Sequence, residues 1–390
     1  MKKKAILFWF EMDKRLELLQ PFITMSDDIE FVHVFFRTRE ERQIQLSPFE
    51  IIYWFDYKTP YEMLKKHKPD FIVGATENLL AISLIVAARE KNIPYYGLQH
   101  GFVTENFDSL FIKVKRESLF SRQRLKIYFN TARFYFLAIR LKNTRILFQY
   151  INLFILFYSK FAEEAISKNR YKWVKPNYYI CFSEISSIHY KKLYNFDDSR
   201  LKFIGIPSFD NIFKEISLLK PDAGMKKYYL MIDTSFVDYH KPISREQIQR
   251  CYQALAEYCR LNDAKLYIKL HPWNYETPGL VNDDTISFFR NVNMAELAKL
   301  IVNATGCFGF YSTLTMPIAF TKPTIQIKYD DIFEPSLVSN NITPLLDFYT
   351  FEVSDINFGS FRNIDEGLKT KFLFATDGNA VQRLKEILLG

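Results

Sequence analysis

Three short stretches of the chain carry residue types that can do chemistry. In IPYYGLQHG an apolar run that reads as a buried strand gives way to Gln99, His100 and Gly101 at its C-terminal tip. In YIKLHPWNYE, Lys269, His271 and Pro272 stand at the end of another such run, and proline stops the ladder just after the histidine. In GCFGFYSTLTMP a strand ends and a helix is expected to begin near Ser312 and Thr313. An imidazole titrating near pH ~6.5 is suited to proton transfer at neutral pH. Hydroxyls at a helix N-terminus suit a phosphate, which the free N–H groups and the positive dipole end favour. They serve equally well as plain N-caps. A strand-end His-Gly is also a turn with a capping histidine, Gly101 supplying the backbone freedom.

Acids compete for the proton-transfer role. Glu77, in VGATENLL, follows a further apolar run, and Glu11 and Asp13 follow the first one. Glu77 is a second candidate base, or a first-turn acid of the helix that follows it. Asp210, in IPSFDN, reads as a helix cap. No Asp-x-Asp pair is present. Asp283–Asp284 and Asp330–Asp331 are adjacent pairs, and strand geometry aims adjacent side chains oppositely, so no essential metal is expected. His33, His67, His189 and His240 show no ligand spacing and are assigned to core or surface. The four cysteines form no CxxC pair. Cys181 and Cys307 sit in apolar runs as free buried thiols, which fits a reducing compartment.

The elements that must position these residues alternate along the chain. Strands are expected at 5–10, 31–36, 71–75 and 95–98, with helices at 14–22, 60–67 and 79–91 between them. After a gap the pattern resumes with strands at 178–183 and 201–206. A second series follows, with strands at 228–233, 264–270, 285–289, 306–310 and 324–327 and helices at 245–262, 294–303 and 312–320. Strands alternating with helices imply α/β architecture with parallel sheets covered on both faces. A chain of 390 residues exceeds one ordinary core. The expected division is an N-terminal Rossmann-like domain at 1–218, including a helical insertion at 102–175, and a C-terminal one at 219–377. A last helix at 378–390 is expected to cross back to the first domain. Ligands bind outside the carboxyl ends of such strands, so two such domains facing across a cleft bring both sets of strand ends together.

The insertion is the compositional anomaly. The formal charge is +8, and between Lys113 and Arg145 ten Lys/Arg residues face one acid, Glu117. Aromatic residues are interleaved, and the nearly charge-free ILFQYINLFILFYSKF follows. A solvated helical insertion, a nucleic-acid grip and a membrane surface all use such a composition. The reading taken forward is peripheral contact with an anionic membrane through Arg122, Arg124, Lys126, Arg133, Arg140, Lys142 and Arg145, with no nucleic-acid partner. No uncharged apolar stretch reaches the roughly 18 residues needed to span a bilayer. The start, MKKKAILFWFEMDK, reads as a first strand rather than a signal peptide. The expected location is therefore cytoplasmic, at the inner face of the plasma membrane.

The pieces IPYYGLQHG, LKFIGIPSFDN, KLHP and GFYSTLTMPIAFTKPTIQI, in that order, resemble the GT-B glycosyltransferases of bacterial surface-polysaccharide synthesis. The resemblance is greatest to the group holding capsule-synthesis transferases and the CDP-glycerol-using teichoic-acid polymerases. It runs from roughly residue 90 to 330 and leaves 102–175 without a counterpart. It implies transfer of a sugar from a nucleotide-activated donor to a hydroxyl of a surface glycan (capsule, lipopolysaccharide or teichoic-acid type) or its lipid-linked precursor. Inversion without a metal is implied as well. His100 would be the base, with Glu77 as the rival. Lys269, His271, Pro272, Ser312 and Thr313 would hold the donor's phosphates, and Gln99, Gly101, Glu11 and Asp13 would line the acceptor side. The donor is a substrate of CMP, CDP or UDP type, and no cofactor is implied. A nucleotide-sugar epimerase of the same architecture, a glycerophosphate or phosphoribosyl transferase, and a non-catalytic binding protein are the alternatives.

Overall fold

The computed structural model describes residues 2–8, 19–35, 47–76, 78–99, 125, 129, 144–159, 174–234, 243–271, 274, 282–310, 314–329, 336–339, 342–360 and 364–390. The first unit gathers the described residues up to 208 together with 379–390, and the second spans 209–378. The strands of the first are β1 (Lys3–Phe8), β2 (Ile29–Phe35), β3 (Glu50–Tyr53), β4 (Phe71–Gly74), β5 (Tyr95–Leu98), β6 (Tyr178–Cys181) and β7 (Leu201–Phe203). Its helices are α1 (Gln20–Thr24), α2 (Pro60–His67), α3 (Leu79–Glu90), α4 (Thr144–Ser159) and α5 (Glu184–Tyr194). In the second lie α6 (Asp210–Leu218), β8 (Tyr228–Ile232), α7 (Arg245–Leu261), β9 (Lys265–Lys269), β10 (Ile286–Phe289) and α8 (Met294–Asn303). There follow β11 (Gly306–Gly309), α9 (Thr315–Ala319), β12 (Thr324–Lys328), α10 (Ser336–Ser339), β13 (Leu345–Asp347) and α11 (Glu366–Leu373). The last helix, α12 (Ala380–Leu389), belongs to the first unit.

Both sheets are parallel throughout. The first has seven strands in the order β3-β2-β1-β4-β5-β6-β7, the second six in the order β10-β9-β8-β11-β12-β13. Each is doubly wound, with the winding reversing between β1 and β4 in one and between β8 and β11 in the other. The period-2 pleat sorts β1 cleanly. Ile6 and Phe8 join Val32, Ile72 and the inner faces of α2 and α3 on one side. Ala5 and Leu7 join Phe31, Val73 and Leu384 and Leu388 of α12 on the other. In the second unit Tyr229, Met231, Leu266, Ile268 and Phe308 pack on Cys251, Leu255 and Cys259 of α7.

Capping residues set where several helices begin. Thr59 accepts from the Glu62 N–H at the start of α2, ahead of Pro60. Ser244 with Gln247, and Asn293 with Glu296, form capping boxes at α7 and α8. The division falls at 208/209 rather than at 218/219, because α6 packs on α8 of the second unit. The elements the periodicity misses include β3 and β13. Both are edge strands of four and three residues, too short to show alternation.

Candidate functional site

In an open parallel sheet the crevice lies at the carboxyl ends where the winding reverses. In the second unit those ends belong to β8 and β11, and the Phe310 N–H extends their pairing to the Ile232 carbonyl at 3.4 Å. Asp233 follows β8 directly and is only 2% exposed. Its Oδ2 accepts from the His271 backbone N–H at 3.1 Å and from Asn274 Nδ2 at 2.6 Å, and its Oδ1 accepts from the Tyr252 hydroxyl at 2.9 Å. Its own N–H donates to the Lys269 carbonyl at 3.0 Å, tying β8 to the end of β9. Burial pushes the Asp233 carboxyl above its usual range, while the bonds from Asn274, His271 and Tyr252 pull the other way.

His271 thus sits two residues beyond the end of β9, just after the buried Leu270, itself only partly buried. The carbonyl of the same residue accepts from the Asn274 N–H at 2.8 Å. Lys269 is partly buried on the face of β9 opposite Leu266 and Ile268. Pro272 lies outside the described residues. So do Ser312 and Thr313, but the helix they were expected to open does not begin with them. That helix, α9, starts at Thr315 with Leu314 at the cap position and no side-chain cap. Thr315 ties the start of this helix to the residue after β11, its hydroxyl donating to the Phe310 carbonyl at 3.1 Å. Gly309 makes room for this, since a Cβ there would lie 2.6 Å from Thr315 Oγ1.

In the first unit His100, Gly101, Glu77, Glu11 and Asp13 lie outside the described residues; Gln99, Thr76 and Asn78 are described neighbours of His100 and Glu77. Gln99 is 1% exposed. Its N–H donates to the Ile180 carbonyl at 3.0 Å and its Oε1 accepts from the Phe182 N–H at 2.8 Å. Its side chain therefore serves the end of β6. Glu77 falls between Thr76, which accepts from the Tyr194 hydroxyl at 2.6 Å, and Asn78, which caps α3 by accepting from the Ala81 N–H at 2.8 Å. β4 flanks the point where the winding reverses, whereas β5, which leads to His100, lies one strand further out.

The remaining histidines and thiols follow burial. His33, His67 and His189 are buried, and His240 lies outside the described residues. All four cysteines are free and buried. Among the described residues no group of three or more His, Cys, Asp and Glu is placed to hold a metal ion. Of the basic residues of the insertion, Arg122, Arg124, Lys126, Arg133, Arg140 and Lys142 lie outside the described residues, and Arg145 falls in the first turn of α4. Among the described residues no helix is long and apolar enough to cross a membrane.

Sequence reasoning missed Asp233 and Asn274. YYLMIDTS places a carboxylate straight after an all-apolar strand, but nothing in the sequence separates it from a turn residue.

No family model matches the chain, and no curated protein matches it in sequence. Solved structures do. The UDP-GlcNAc 2-epimerase of Methanocaldococcus jannaschii is 13% identical over 100% of this chain and 99% of its own, with a TM-score of 0.51. The wall teichoic acid polymerase TagF is 13% identical over 99% of this chain and 88% of its own, with a TM-score of 0.51. The glycotransferase of kitacinnamycin is 11% identical over 100% of this chain and 99% of its own, with a TM-score of 0.52. The fold is of the GT-B type. At these identities the likeness establishes the architecture and nothing about the reaction.

Proposed function

We propose that this chain is a glycosyltransferase that moves a sugar from a nucleotide-activated donor to a hydroxyl of a surface glycan or of its lipid-linked precursor. The observation that carries the reading is the anchoring of His271. One buried carboxylate holds its peptide at the strand ends where sheets of this kind bind ligands. In this reading His271 meets the donor's phosphates together with Lys269, Pro272 and the Ser312 and Thr313 hydroxyls. The acceptor oxygen attacks the anomeric carbon, the bond from that carbon to the phosphate oxygen breaks, and its electron pair leaves with the nucleotide. The acceptor's proton passes to His100 or Glu77, and Gly101, Glu11 and Asp13 lie on the acceptor side. Donor-phosphate charge is met by His271 and Lys269, so no divalent ion is invoked.

A nucleotide-sugar epimerase is the second reading, favoured by the likeness to an epimerase fold noted above. Incubation with UDP-, CDP- and CMP-sugars, with and without a lipid-linked glycan extract, separates the two. The transferase releases free nucleotide only with acceptor present, and an epimerase changes the donor sugar without acceptor. Turnover unchanged in both His100→Ala and Glu77→Gln would remove the acid–base assignment. The proposed location is the inner face of the plasma membrane. What supports this is α4, where Phe148, Ile151 and Ile155 are 73, 38 and 56% exposed on the side opposite the buried Tyr150, Leu153 and Phe157.

A further inference from the structure

We propose that Asp233 is the positioning residue of this site: its carboxylate fixes the peptide of His271 and so sets the direction in which the imidazole is presented. The proposal rests on the functional reading above only for the identity of the ligand. The geometry stands by itself. Donors from 19, 38 and 41 residues away converge on one carboxylate, namely the Tyr252 hydroxyl, the His271 N–H and the Asn274 amide. His271 is held on both sides, its N–H by Asp233 and its carbonyl by the Asn274 N–H. Asn274 in turn spends its side-chain amide on Asp233 Oδ2 and, at 2.8 Å, on the Thr234 carbonyl. The peptide planes on either side of the His271 Cα are thereby tied to the end of β8, and little beyond χ1 and χ2 remains to aim the ring.

Cost argues the same way. A carboxylate this deeply buried is unfavourable unless its oxygens are satisfied, and an apolar residue would end β8 at less expense. Retaining an acid here makes sense where a loop must be held in one conformation, because three directed bonds restrict the backbone in a way apolar contacts do not. Tyr252 shares the carboxylate but touches neither His271 nor Asn274 through it, so its bond to Oδ1 steadies the anchor and not the loop.

The test compares Asp233→Ala, Asp233→Asn, Asn274→Ala and Tyr252→Phe with the wild type. The readouts are calorimetric titration with UDP, CDP and CMP, backbone amide exchange at His271 and Asn274, and thermal unfolding. Wild type is expected to bind one of the nucleotides. Asn274→Ala and Asp233→Ala are expected to weaken that binding by about tenfold or more and to speed exchange at His271. Tyr252→Phe is expected to stay within about twofold of wild type in binding. Asp233→Asn rescues, because an amide oxygen can still accept from His271 and Asn274 while its NH2 donates to a turned Tyr252 hydroxyl. Loss in Asp233→Asn as deep as in Asp233→Ala would show that charge, not positioning, is at work. Should Asp233→Ala fail to fold, Asn274→Ala carries the test alone. If wild type and Asn274→Ala bind equally and exchange equally, the positioning role is overturned while the transferase reading survives. If wild type binds none of the three nucleotides, that reading falls, and unchanged exchange in Asn274→Ala would then overturn the positioning role separately.

Discussion

Arg383 of α12 donates a hydrogen bond to the carbonyl of Ile204, 179 residues earlier, at 3.0 Å. The same helix buries Leu384 and Leu388, one turn apart, among Ala5, Leu7, Phe31 and Val73 on one face of the first sheet. Lys3 returns the tie by donating to the Leu389 carbonyl. The last helix is therefore part of the first unit's core, and Leu384→Ala should destabilise that unit by about 2–4 kcal/mol. Arg383→Ala should cost about 1 kcal/mol, the worth of one partly buried hydrogen bond. Urea unfolding of the two variants, read against wild type, checks both size and order.

Gly309 and Thr315 are packed against each other where β11 gives way to α9. A Cβ at position 309 would lie 2.6 Å from both Thr315 Oγ1 and Thr315 Cγ2. Gly309→Ala should therefore cost about 1–3 kcal/mol through overpacking. Thr315→Ala removes both of those atoms but also the bond to the Phe310 carbonyl, so it destabilises too. The double variant should lose less than the sum of the singles. A double-mutant cycle in denaturant measures that coupling, and simple additivity would mean the loop relaxes away from the clash.

Why some of this was legible beforehand and some was not follows from the kind of signal each feature leaves. Runs such as YYLMI and the Leu79–Glu90 helix are apolar enough to be placed from composition alone, and strand–helix alternation dictates a parallel sheet. β3 and β13 are edge strands of four and three residues, too short for alternation to show, and α6 lies past Pro207, where the pattern reads as a turn. His271 announced itself through the proline that follows it. Asp233 did not, because a single acid after a strand is indistinguishable from a turn residue until Tyr252, His271 and Asn274 are seen to converge on it. Gln99 carries a bond that its place in the chain does not announce. It stands beside His100 in the chain, yet its side chain points to the Phe182 N–H.

His33 gives the first unit a pH dependence. Burial pushes its imidazole down to about 4, with Nδ1 at 3.2 Å from the Ser47 hydroxyl. The unfolded chain binds a proton near pH ~6.5 that the folded unit refuses. Stability from this residue is thus complete above about pH 6.5 and declines as pH falls, by about 1.4 kcal/mol per unit, until it levels off near the folded value. Between pH 7 and pH 5 the loss should be about 2 kcal/mol. His33→Gln should flatten the profile over that range. Denaturant unfolding of both proteins at pH 7, 6 and 5 provides the measurement, and parallel curves would remove His33 as the cause.

The exposed face of α4 makes the location testable. Phe148, Ile151 and Ile155 recur at helical spacing and are left in solvent, while Tyr150, Leu153 and Phe157 fill the opposite side. The helix is apolar on two opposite faces, one of them exposed, and in sequence the stretch follows a segment with ten basic residues and one acid. Phe148→Ser and Ile155→Ser together should leave unfolding nearly unchanged, since the side chains replaced are more than half exposed. They should nonetheless weaken sedimentation with vesicles of phosphatidylglycerol and phosphatidylcholine by about tenfold or more, each side chain contributing roughly 1–2 kcal/mol of interfacial burial. Changing Arg122, Arg124, Lys126, Arg133, Arg140 and Lys142 to Gln should remove the preference for the anionic lipid and the salt sensitivity that goes with it. If the serine variant binds vesicles like wild type but changes its mass in solution, the stripe is a contact between protein chains and the membrane assignment is withdrawn.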